Sequence, residues 1–291
     1  MKALRPRVIL ITGCSSGFGL LTAARLSAAG HHVHACLRDL KKRGPLEAET
    51  VARKGMANLF IHQMDVADIA SVKAAVAEIV AHEGFMDVLI NNAGFGIGGF
   101  FEDLSDADWR QQFDTNFFGV LNVTRAVLPL MRQRRCGRII NISSMAAFSG
   151  SPAFSAYVSS KWALEGFSEC LYMELKPFGI DVVLVEPGSY RTGIFDQNAR
   201  YAQYFFDQKS PYYPMSQRLK AFIEKYIRRS LRSPEEVAVV LEKLSTSPHV
   251  SFRHVIGLVS RLRCWTVRHM PFKFYAWMLG KIFLSRPKPH D

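Results

Sequence analysis

Residues 138–161, RIINISSMAAFSGSPAFSAYVSSK, carry the pattern that indicates both the fold and the chemistry of this chain. The stretch begins with β-branched residues typical of a buried strand and then passes through a loop of small residues. A helix follows, and on it Tyr157 and Lys161 share one face because they are four residues apart. Ser144 lies at the end of the strand, from where it can fold back towards Tyr157. A phenol beside an ammonium group and opposite a hydroxyl is suited to protonating a carbonyl oxygen.

A second pair with the same spacing, Tyr172 and Lys176, also has a serine thirteen residues before its tyrosine. That serine, Ser159, falls on the same predicted helix as Tyr172, so at about 1.5 Å per residue it lies roughly 20 Å away. Pro177 also ends the helix directly after Lys176. We therefore expect the first pair, and not the second, to form a site.

The composition indicates a protein that folds around a large core in a reducing compartment. The chain has 291 residues, of which 48% are hydrophobic, enough for one large α/β domain or two small ones. Its five cysteines are odd in number and widely spaced, which favours free thiols with structural roles. The N-terminal apolar run, Val8 to Ile11, is too short for a signal peptide and indicates a first strand. No stretch approaches the roughly 20 apolar residues of a membrane span, so we expect a cytoplasmic protein.

Short β-branched runs alternate with longer amphipathic segments over the first 190 residues, which predicts an α/β fold. We expect a doubly wound parallel sheet of about seven strands with helices on both faces. A late helix is indicated by the capping sequence Ser233-Pro234-Glu235-Glu236. The predicted strands are Val8–Thr12, His32–Leu37, Asn58–Gln63, Val88–Asn91, Arg138–Ser143, Asp181–Glu186 and Ser251–Val255, and the other predicted helices span 17–29, 44–54, 69–83, 105–132 and 153–176.

We expect all 291 residues to form a single dinucleotide-binding domain. Its core, with the active site, is predicted in residues 1–195. A substrate lid is predicted in residues 196–232. The last helix and strand, followed by a basic apolar tail, occupy residues 233–291.

The first predicted strand runs directly into a glycine-rich turn, Thr12-Gly13-Cys14-Ser15-Ser16-Gly17-Phe18-Gly19. Its three glycines let the backbone turn sharply and approach a pyrophosphate, which then lies at a helix N-terminus. A glycine cluster can also be an ordinary tight turn. Because this one follows the first strand and opens a helix, it predicts a dinucleotide site.

The end of the second predicted strand indicates which dinucleotide binds. Leu37 occupies the place where an acidic residue would bind the adenine ribose hydroxyls, and Arg38 follows it. A guanidinium group can pair with a 2′-phosphate, and Ser15 can donate to the same group, so NADP(H) is favoured over NAD(H). Asp39 leaves NAD(H) open, and Arg38 can equally be a surface residue without a ligand.

The same strand carries His32, His34 and Cys36 on one face, a set of side chains that can ligate a metal. The strand is predicted to be buried within the sheet. We therefore predict no metal site.

Polar and small residues follow the third and fourth predicted strands. Asp65-Val66 closes the third strand, where the carboxylate can meet an adenine amine, cap the following helix, or do both. Asn92-Ala93-Gly94 follows the fourth strand and permits a cofactor to approach closely. Asn116 lies inside the long helix, where a buried amide needs hydrogen-bond partners. It either satisfies a neighbouring backbone or holds a water below Lys161.

Taken together, these residues resemble the short-chain dehydrogenase/reductase family, and most of all its branch of 17β-hydroxysteroid and retinol dehydrogenases. The resemblance covers roughly residues 5–195 in order and spacing, and it implies the Rossmann-like fold of the family. It rests on TGxxxGxG at 12–19, NNAG at 91–94, Asn116, Ser144, Tyr157-x-x-x-Lys161, and Pro187-Gly188 with Thr192.

The resemblance implies an oxidoreductase that interconverts a hydroxyl and a carbonyl, with members of this branch often using NADP(H). NADPH would deliver a hydride to the carbonyl carbon while Tyr157 protonates the developing alkoxide. Lys161 and the oxidised nicotinamide would lower the pKa of the phenol, and Ser144 would hydrogen-bond the substrate oxygen. The implied catalytic tetrad is Asn116, Ser144, Tyr157 and Lys161, with Asn116 holding a water that links Lys161 to solvent and with Pro187, Gly188 and Thr192 flanking the nicotinamide amide.

Two other functions remain open at this point. One is an NAD(H)-dependent dehydrogenase of a small polar alcohol, and the other is a non-catalytic dinucleotide sensor. The complete tetrad speaks against the sensor.

The last third of the chain differs from the rest in charge and in aromatic content. Residues 197–291 hold 17 Lys or Arg against 6 Asp or Glu, nearly the whole net charge of +12. A cluster of rings suits a small lipophilic substrate such as a steroid, a retinoid or an acyl lipid, although core packing explains many of them equally well. These rings are Phe195, Tyr201, Tyr204, Phe205, Phe206, Tyr212, Tyr213 and Phe222.

The C-terminal tail has no acidic residue from Lys243 to His290. On a helix through 258–265, Leu258, Val259, Leu262 and Trp265 share one face and arginines flank it. The segment 272–284 is apolar almost all round. This pattern suits peripheral contact with an anionic membrane. Packing on the protein itself or on a twin subunit is the alternative, and we expect a homo-oligomer, either dimer or tetramer. We expect no nucleic-acid partner, because no nucleic-acid module is recognisable.

Overall fold

The central feature of the fold is a parallel sheet of seven strands, in the order β3-β2-β1-β4-β6-β7-β9. The computed structural model describes residues 5–188, 190, 200–229 and 232–283. A separate pair of short parallel strands, β5 (Ile97–Gly98) and β8 (Arg200–Tyr201), lies outside this sheet. The seven strands are β1 (Val8–Thr12), β2 (His32–Leu37), β3 (Leu59–Gln63), β4 (Val88–Asn91), β6 (Gly137–Ile142), β7 (Ile180–Pro187) and β9 (Arg253–Ile256).

Helices cover both faces of the sheet, as the alternating pattern predicts. Successive strand residues point to opposite faces, so Ile9 and Ile11 pack in one core cluster and Leu10 in the other. Strand β1 is buried over its whole length, which explains its unbroken apolar sequence. The helices are α1 (Gly17–Ala28), α2 (Gly44–Ala52), α3 (Ile69–Glu83), α4 (Asp106–Phe113), α5 (Gly119–Arg134), α6 (Ser155–Leu175), α7 (Tyr213–Arg229), α8 (Glu235–Thr246), α9 (Leu258–His269) and α10 (Phe272–Phe283).

The long helix predicted at 105–132 is present, but its pitch changes within it. It consists of α4, one π-helical segment (Asp114–Phe118) and α5. The π-helical segment carries Asn116, whose side chain is hydrogen-bonded to the backbone of Phe95. A tertiary contact therefore accompanies the change in helical pitch, a pattern common where helices carry functional residues.

The sheet order places a topological switch point between β1 and β4, where the crossovers leave in opposite directions. In such sheets the ligand crevice lies at the carboxyl ends of the strands. The segments that follow β1, β4, β6 and β7 therefore meet at one edge. These are the segments that contain most of the predicted site residues.

Two features that entered the sequence analysis are visible in the structure. All five cysteines are free thiols, as their odd number and spacing indicated. Among the described residues, the helices lack the combination of length and apolarity that crossing a bilayer requires.

Candidate active site

Ser144, Tyr157 and Lys161 come together at the carboxyl end of β6, as predicted. Ser144 follows the strand and accepts a hydrogen bond from the Ala146 N–H (3.1 Å), which begins a short 3-10 turn. Tyr157 is buried in the first turn of α6, and its hydroxyl is hydrogen-bonded with Ser144. The Lys161 Nζ lies 5.9 Å from the centre of the Tyr157 ring and donates to the Ile142 carbonyl oxygen (2.8 Å). The ammonium group is therefore held in place by the end of the strand.

Burial controls the protonation of both titratable groups. It raises the pKa of Tyr157, and the hydrogen bond with Ser144 lowers it in part. Burial also lowers the pKa of Lys161 to about 8, against the opposing effect of the Glu165 carboxylate. The lowering of the phenol pKa by Lys161 together with the oxidised nicotinamide stays a prediction; in the protein alone, burial is the largest effect. Near pH 7 the phenol therefore keeps its proton, and most of Lys161 is charged.

The second pair with this spacing, Tyr172 and Lys176, does not form a comparable site. Tyr172 and Ser159 lie on the same helix, α6, as expected. Tyr172 packs against Phe252, with 4.9 Å between the ring centres. Lys176 belongs to the short 3-10 turn that follows α6.

The side chain of Asn116 fixes a neighbouring backbone, which was one of its two predicted roles. Its Oδ1 accepts from the Phe95 N–H (3.1 Å). Its Nδ2 donates to the Phe95 carbonyl oxygen (2.9 Å) and to the Ser160 Oγ (3.3 Å). Both amide hydrogens are thus engaged by protein atoms. The water-holding role of Asn116 stays a prediction.

Asn92 fastens the glycine-rich turn to the end of β4. Its Nδ2 donates to the carbonyl oxygens of Thr12 (2.8 Å) and Gly13 (3.0 Å). The Thr12 Oγ1 in return accepts from the N–H groups of Asn92 and Ala93, both at 3.0 Å. Gly13 has a φ of 72°, and a Cβ there would lie 2.7 Å from the Ala93 Cα. A Cβ at Gly19 would lie 2.4 Å from the Asn92 Nδ2. These two glycines are therefore required by the close approach of the two strand ends.

The residues after β1 and β2 fit a bound dinucleotide. Helix α1 begins at Gly17, directly after Ser16 of the glycine-rich turn, and the N–H groups of a first helical turn suit a pyrophosphate. The Cys14 N–H donates to the Cys36 carbonyl oxygen (3.0 Å), which brings the glycine-rich turn beside the end of β2. Ser15 and the exposed Arg38 both lie within two residues of this contact.

Asp39 and Asp65 take backbone roles. The Asp39 Oδ1 accepts from the Lys41 N–H (3.0 Å) and caps a 3-10 turn. The capping alternative for Asp65 does not hold, because Asp68 directly precedes α3 and caps it. Asp65 instead accepts from the Ala67 N–H (3.0 Å) in the turn before the helix. The adjacent Val66 packs against Gly119, where a Cβ would lie 2.7 Å from the Val66 Cγ2, so this segment is held against α5.

These segments enclose a cleft with about 540 Å³ of space that is open to solvent. Most predicted site residues that the structure describes either line the cleft or support its walls. Thr192 lies outside the described residues. The lining residues are Phe18, Asn92, Gly94, Phe95, Ile142, Ser143, Ser144, Tyr157, Lys161, Pro187, Gly188 and Tyr190.

Four of the lining residues were not among the predicted site residues: Phe95, Ile142, Ser143 and Tyr190. Tyr190 is buried and meets Phe18 edge-on, with ring centres 5.6 Å apart. Because Tyr190 lies two residues after the predicted site residue Gly188, the sequence could have indicated it as a lining residue. Phe95 follows Gly94 and is held by Asn116, so its place depends on a contact from the π-helical segment.

A buried group of charges behind Lys161 was also not predicted. Ser143 donates to Glu165, and Arg253 bridges Glu165 (2.5 Å) and the fully buried Glu186. Burial raises the pKa of Glu186 to about 8, and the neighbouring Glu165 carboxylate adds to the rise. Glu165 lies four residues after Lys161 on α6, which is a helical spacing that could have indicated it.

The aromatic residues of the predicted lid divide into two groups. Tyr201, Phe205 and Tyr212 pack in a core cluster with Phe95 and Phe100, so the core-packing alternative holds for them. Tyr212 stacks on Phe100 with ring centres 4.7 Å apart. The rings of Tyr204, Phe206 and Phe222 are exposed, Tyr213 is half-buried, and Phe195 lies outside the described residues.

Comparisons with characterised families agree with this geometry. The family model described as short chain dehydrogenase matches residues 7–202. The chain is 38% identical to a 3-ketodihydrosphingosine reductase from Bacteroides thetaiotaomicron, covering 92% of this chain and 96% of that protein. It is 44% identical to human retinol dehydrogenase 8 over 64% of this chain and 60% of the relative. It is 35% identical to human 17-beta-hydroxysteroid dehydrogenase type 1 over 85% and 76%.

Solved structures show the same architecture. A short-chain dehydrogenase from Streptomyces avermitilis superposes with a TM-score of 0.78 at 30% identity, over 95% of this chain and 97% of the other. A metagenomic short-chain oxidoreductase in complex with NADP has a TM-score of 0.67 at 27% identity, over 86% and 96%. The resemblance predicted from the motifs is thereby confirmed, together with the Rossmann-like fold. This chain belongs to the short-chain dehydrogenase/reductase family, in the branch that contains the retinol and 17β-hydroxysteroid dehydrogenases.

Proposed function

We propose that this enzyme interconverts a hydroxyl and a carbonyl group on a lipophilic substrate with NADP(H), using Tyr157 as the general acid and base. Its family consists of oxidoreductases that act on CH–OH donors with a nicotinamide dinucleotide. The sensor alternative is therefore set aside. The proposal rests on the hydrogen bond between Ser144 and Tyr157 beside Lys161, in a cleft whose other walls include the glycine-rich turn and Pro187-Gly188.

The protein groups have distinct parts in the proposed reaction. The nicotinamide, when bound, supplies or accepts the hydride. Tyr157 would donate its proton to the substrate oxygen as negative charge develops there, and Ser144 would hydrogen-bond the same oxygen. Lys161 would stabilise the resulting phenolate through its positive charge. Asn116 acts as a positioning residue, because it holds Phe95 against the cleft.

The general-acid role can be tested with two matched tyrosine variants. Tyr157→Phe removes the proton donor and is expected to lower kcat by about 10²–10⁴-fold. Tyr172→Phe, the control, changes the tyrosine of the second pair on the same helix and is expected to leave kcat unchanged. NADPH oxidation with steroids, retinoids and fatty ketones is the assay. Full turnover by Tyr157→Phe would exclude the proposed mechanism.

The proposed preference for NADP(H) depends on Arg38. Arg38 is exposed at the end of β2, beside the turn that contains Ser15, where a guanidinium can pair with a 2′-phosphate. Arg38→Ala is expected to raise KM for NADPH at least about tenfold, as the loss of one charge-assisted hydrogen bond predicts, and to leave KM for NADH unchanged. Arg43→Ala, another exposed arginine nearby in the sequence, serves as the control. A wild-type enzyme with lower KM for NADH would favour the NAD(H) alternative.

Two observations support a lipophilic substrate. Relatives of this chain are named for 3-ketodihydrosphingosine, retinol and 17β-hydroxysteroids. The cleft also has apolar walls at Phe18, Phe95 and Ile142, and Phe95 is continuous with the aromatic core cluster of the lid region. If the enzyme reduced only small polar ketones, and none of the lipophilic ones, this part of the proposal would be contradicted.

We also propose that helices α9 and α10 contact an anionic membrane surface next to the cleft. Large apolar side chains on these helices are 53% to 81% exposed. The Tyr275 hydroxyl of α10 lies 3.0 Å from the Ser149 Oγ and 2.9 Å from the Gly150 carbonyl oxygen, in the loop that follows the Ser144 turn. The exposed apolar residues are Leu258, Val259, Leu262, Trp265, Phe272, Phe274 and Trp277, and the cations among them are Arg261, Arg263, Arg268, Lys273 and Lys281.

The composition of this surface argues for anionic lipid as the occupant. It combines exposed Trp and Phe with exposed cations and no acidic residue between 243 and 290. Flotation with phosphatidylglycerol vesicles should recover the full chain, and phosphatidylcholine vesicles should not. Leu258→Glu with Leu262→Glu should abolish flotation, whereas Val51→Glu, at an exposed apolar residue of α2, should not. Vesicle binding by the double variant at the wild-type level would contradict the proposal. The proposal would also be contradicted if the wild type bound no vesicles and the double variant lost a dimer that the wild type forms, because this surface would then be an interface between two copies.

A further inference from the structure

A second cluster of titratable side chains lies at the opposite edge of the sheet from the cleft. It joins the beginning of β2 and the strand β3 to the end of α3. His34 of β2 is fully buried there, and α3 supplies His82 and Glu83. The sequence pattern excluded a metal site on β2 because the strand is buried. Burial does not exclude metal ligands here, because the last turn of α3 places the Glu83 carboxylate and the His82 imidazole beside His34.

The ligand atoms of this cluster already lie close together. The Glu83 Oε1 is 3.1 Å from the His34 Nε2 and 3.1 Å from the His82 Nδ1. No two of these three ligand atoms are more than 4.8 Å apart. Ligands at about 2.0–2.1 Å from a tetrahedral zinc ion lie roughly 3.4 Å from one another. The His82 side chain is 57% exposed, which leaves a path for an ion and a fourth ligand from solvent.

A chain of contacts behind His34 lacks one hydrogen. The His34 Nδ1 lies 3.0 Å from the His62 Nε2, and the His62 Nδ1 lies 3.2 Å from the Glu78 Oε2. Together with the contact between His34 and Glu83, this makes three contacts in a row: Glu78 to His62, His62 to His34, and His34 to Glu83. Each contact needs one hydrogen, and the two ionised carboxylates supply none. Two neutral imidazole rings carry only two hydrogens.

A cation between Glu83 and His34 resolves this shortage without charging a buried ring. His34 then donates from Nδ1 to His62, and His62 donates from its own Nδ1 to Glu78. The His34 Nε2 lone pair is left facing the position between it and Glu83. A metal-bound imidazole whose other nitrogen donates to a fixed acceptor is the usual arrangement of a histidine ligand.

We propose that His34, His82 and Glu83 form a binding site for a divalent transition-metal ion such as Zn²⁺, with His62 and Glu78 orienting His34. Imidazole and carboxylate ligands in this number suit zinc and its neighbours in the first transition row. The ion would tie the end of α3 to β2 and β3. Because the site is at the far edge of the sheet from the cleft, we expect it to affect stability more than turnover.

The test uses the full chain without a histidine tag, treated with a chelator and then titrated with Zn²⁺. Calorimetry is expected to show one equivalent bound, and Tm is expected to rise with Zn²⁺. Co²⁺ should give the visible absorption of a tetrahedral site. His82→Ala should weaken Zn²⁺ binding at least about tenfold and remove the rise in Tm, and because His82 is exposed this variant should fold.

A positioning variant and a control make the result specific. Glu78→Gln, which changes only the end of the hydrogen-bond chain, should weaken binding while leaving the stoichiometry at one. His269→Ala, an exposed histidine on α9, should bind as the wild type does. The proposal is overturned if the wild type binds no stoichiometric Zn²⁺, which would mean that an extra proton completes the chain. It is also overturned if His82→Ala binds Zn²⁺ as tightly as the wild type.

Discussion

Replacing Arg253 with methionine removes the cation that bridges Glu165 and Glu186 behind the active-site lysine. Glu186 is fully buried, and the Arg253 side chain is 22% exposed. Removing one partner of a buried ion pair costs about 3–5 kcal/mol, because the other charge is left without compensation. Since Arg253 is partly reached by water, we expect the lower end, about 3 kcal/mol of unfolding free energy at pH 8.

The loss should depend on pH with a definite sign. Arg253 lowers the pKa of Glu186 against the larger effect of burial. With Arg253 present that pKa is already about 8, above its unfolded value, and without Arg253 it rises further, so the destabilisation caused by the substitution grows as pH rises. At pH 6 Glu186 is protonated in both proteins, so the loss there should be smaller than at pH 8.

Urea unfolding followed by far-ultraviolet circular dichroism at the two pH values measures this effect. Arg43→Met is the control, because Arg43 is exposed and pairs with Glu47 one helical turn away. It should cost about 0.5 kcal/mol or less at both pH values. Equal losses for the two variants, or a loss for Arg253→Met that is the same at pH 6 and pH 8, would refute the reasoning.

Three further outcomes can be checked directly. Gly30→Ala, at a positive φ with open space around it, should cost about 1 kcal/mol in urea unfolding. Gly13→Ala should cost about 2 kcal/mol more, because its Cβ would lie 2.7 Å from another backbone atom, and equal costs would contradict the packing described. Burial lowers the pKa of Lys161 to about 8, so the lysine loses its positive charge above that pH and the reduction rate should fall. A profile of kcat/KM that stays flat to pH 10 would exclude a role for this charge. Tyr275→Phe removes the hydrogen bonding of α10 to the neighbouring loop and should lower stability by about 1 kcal/mol in a thermal melt, whereas an unchanged melt would show that the bond is not formed.

The regular elements of the core were predictable because their signals are local. Strands β1, β2 and β4 and helix α3 have the bounds expected from the sequence. Runs of β-branched residues, helical periodicity and capping residues all act within a few positions of the chain. The change to π-helical pitch within the long helix was not predictable in this way. It accompanies a contact between Asn116 and the backbone of Phe95, 21 residues earlier.

The candidate active site was predictable for a similar reason. Ser144, Tyr157 and Lys161 lie within one strand, one loop and one helix turn, so spacing alone brings them close. The charges behind them were not predictable, because Arg253 comes from a strand 67 residues after Glu186 and 88 residues after Glu165. The effect of burial on the pKa of Tyr157 was also not predictable, since the degree of burial is a property of the folded chain.

The amino-acid sequence by itself determined the order of strands and helices, the glycine-rich turn and the pairing of a phenol with a lysine. Periodicity, backbone freedom and helical spacing are properties of neighbouring residues, and they need no fold to be recognised. Only the tertiary structure decided which distant groups meet: the Asn116 clamp on Phe95, the carboxylates around Arg253, and the imidazoles around Glu83. Hydrogen-bond partners and protonation depend on burial and on residues far away in the chain, so these features arise only when the sheet and its helices have come together.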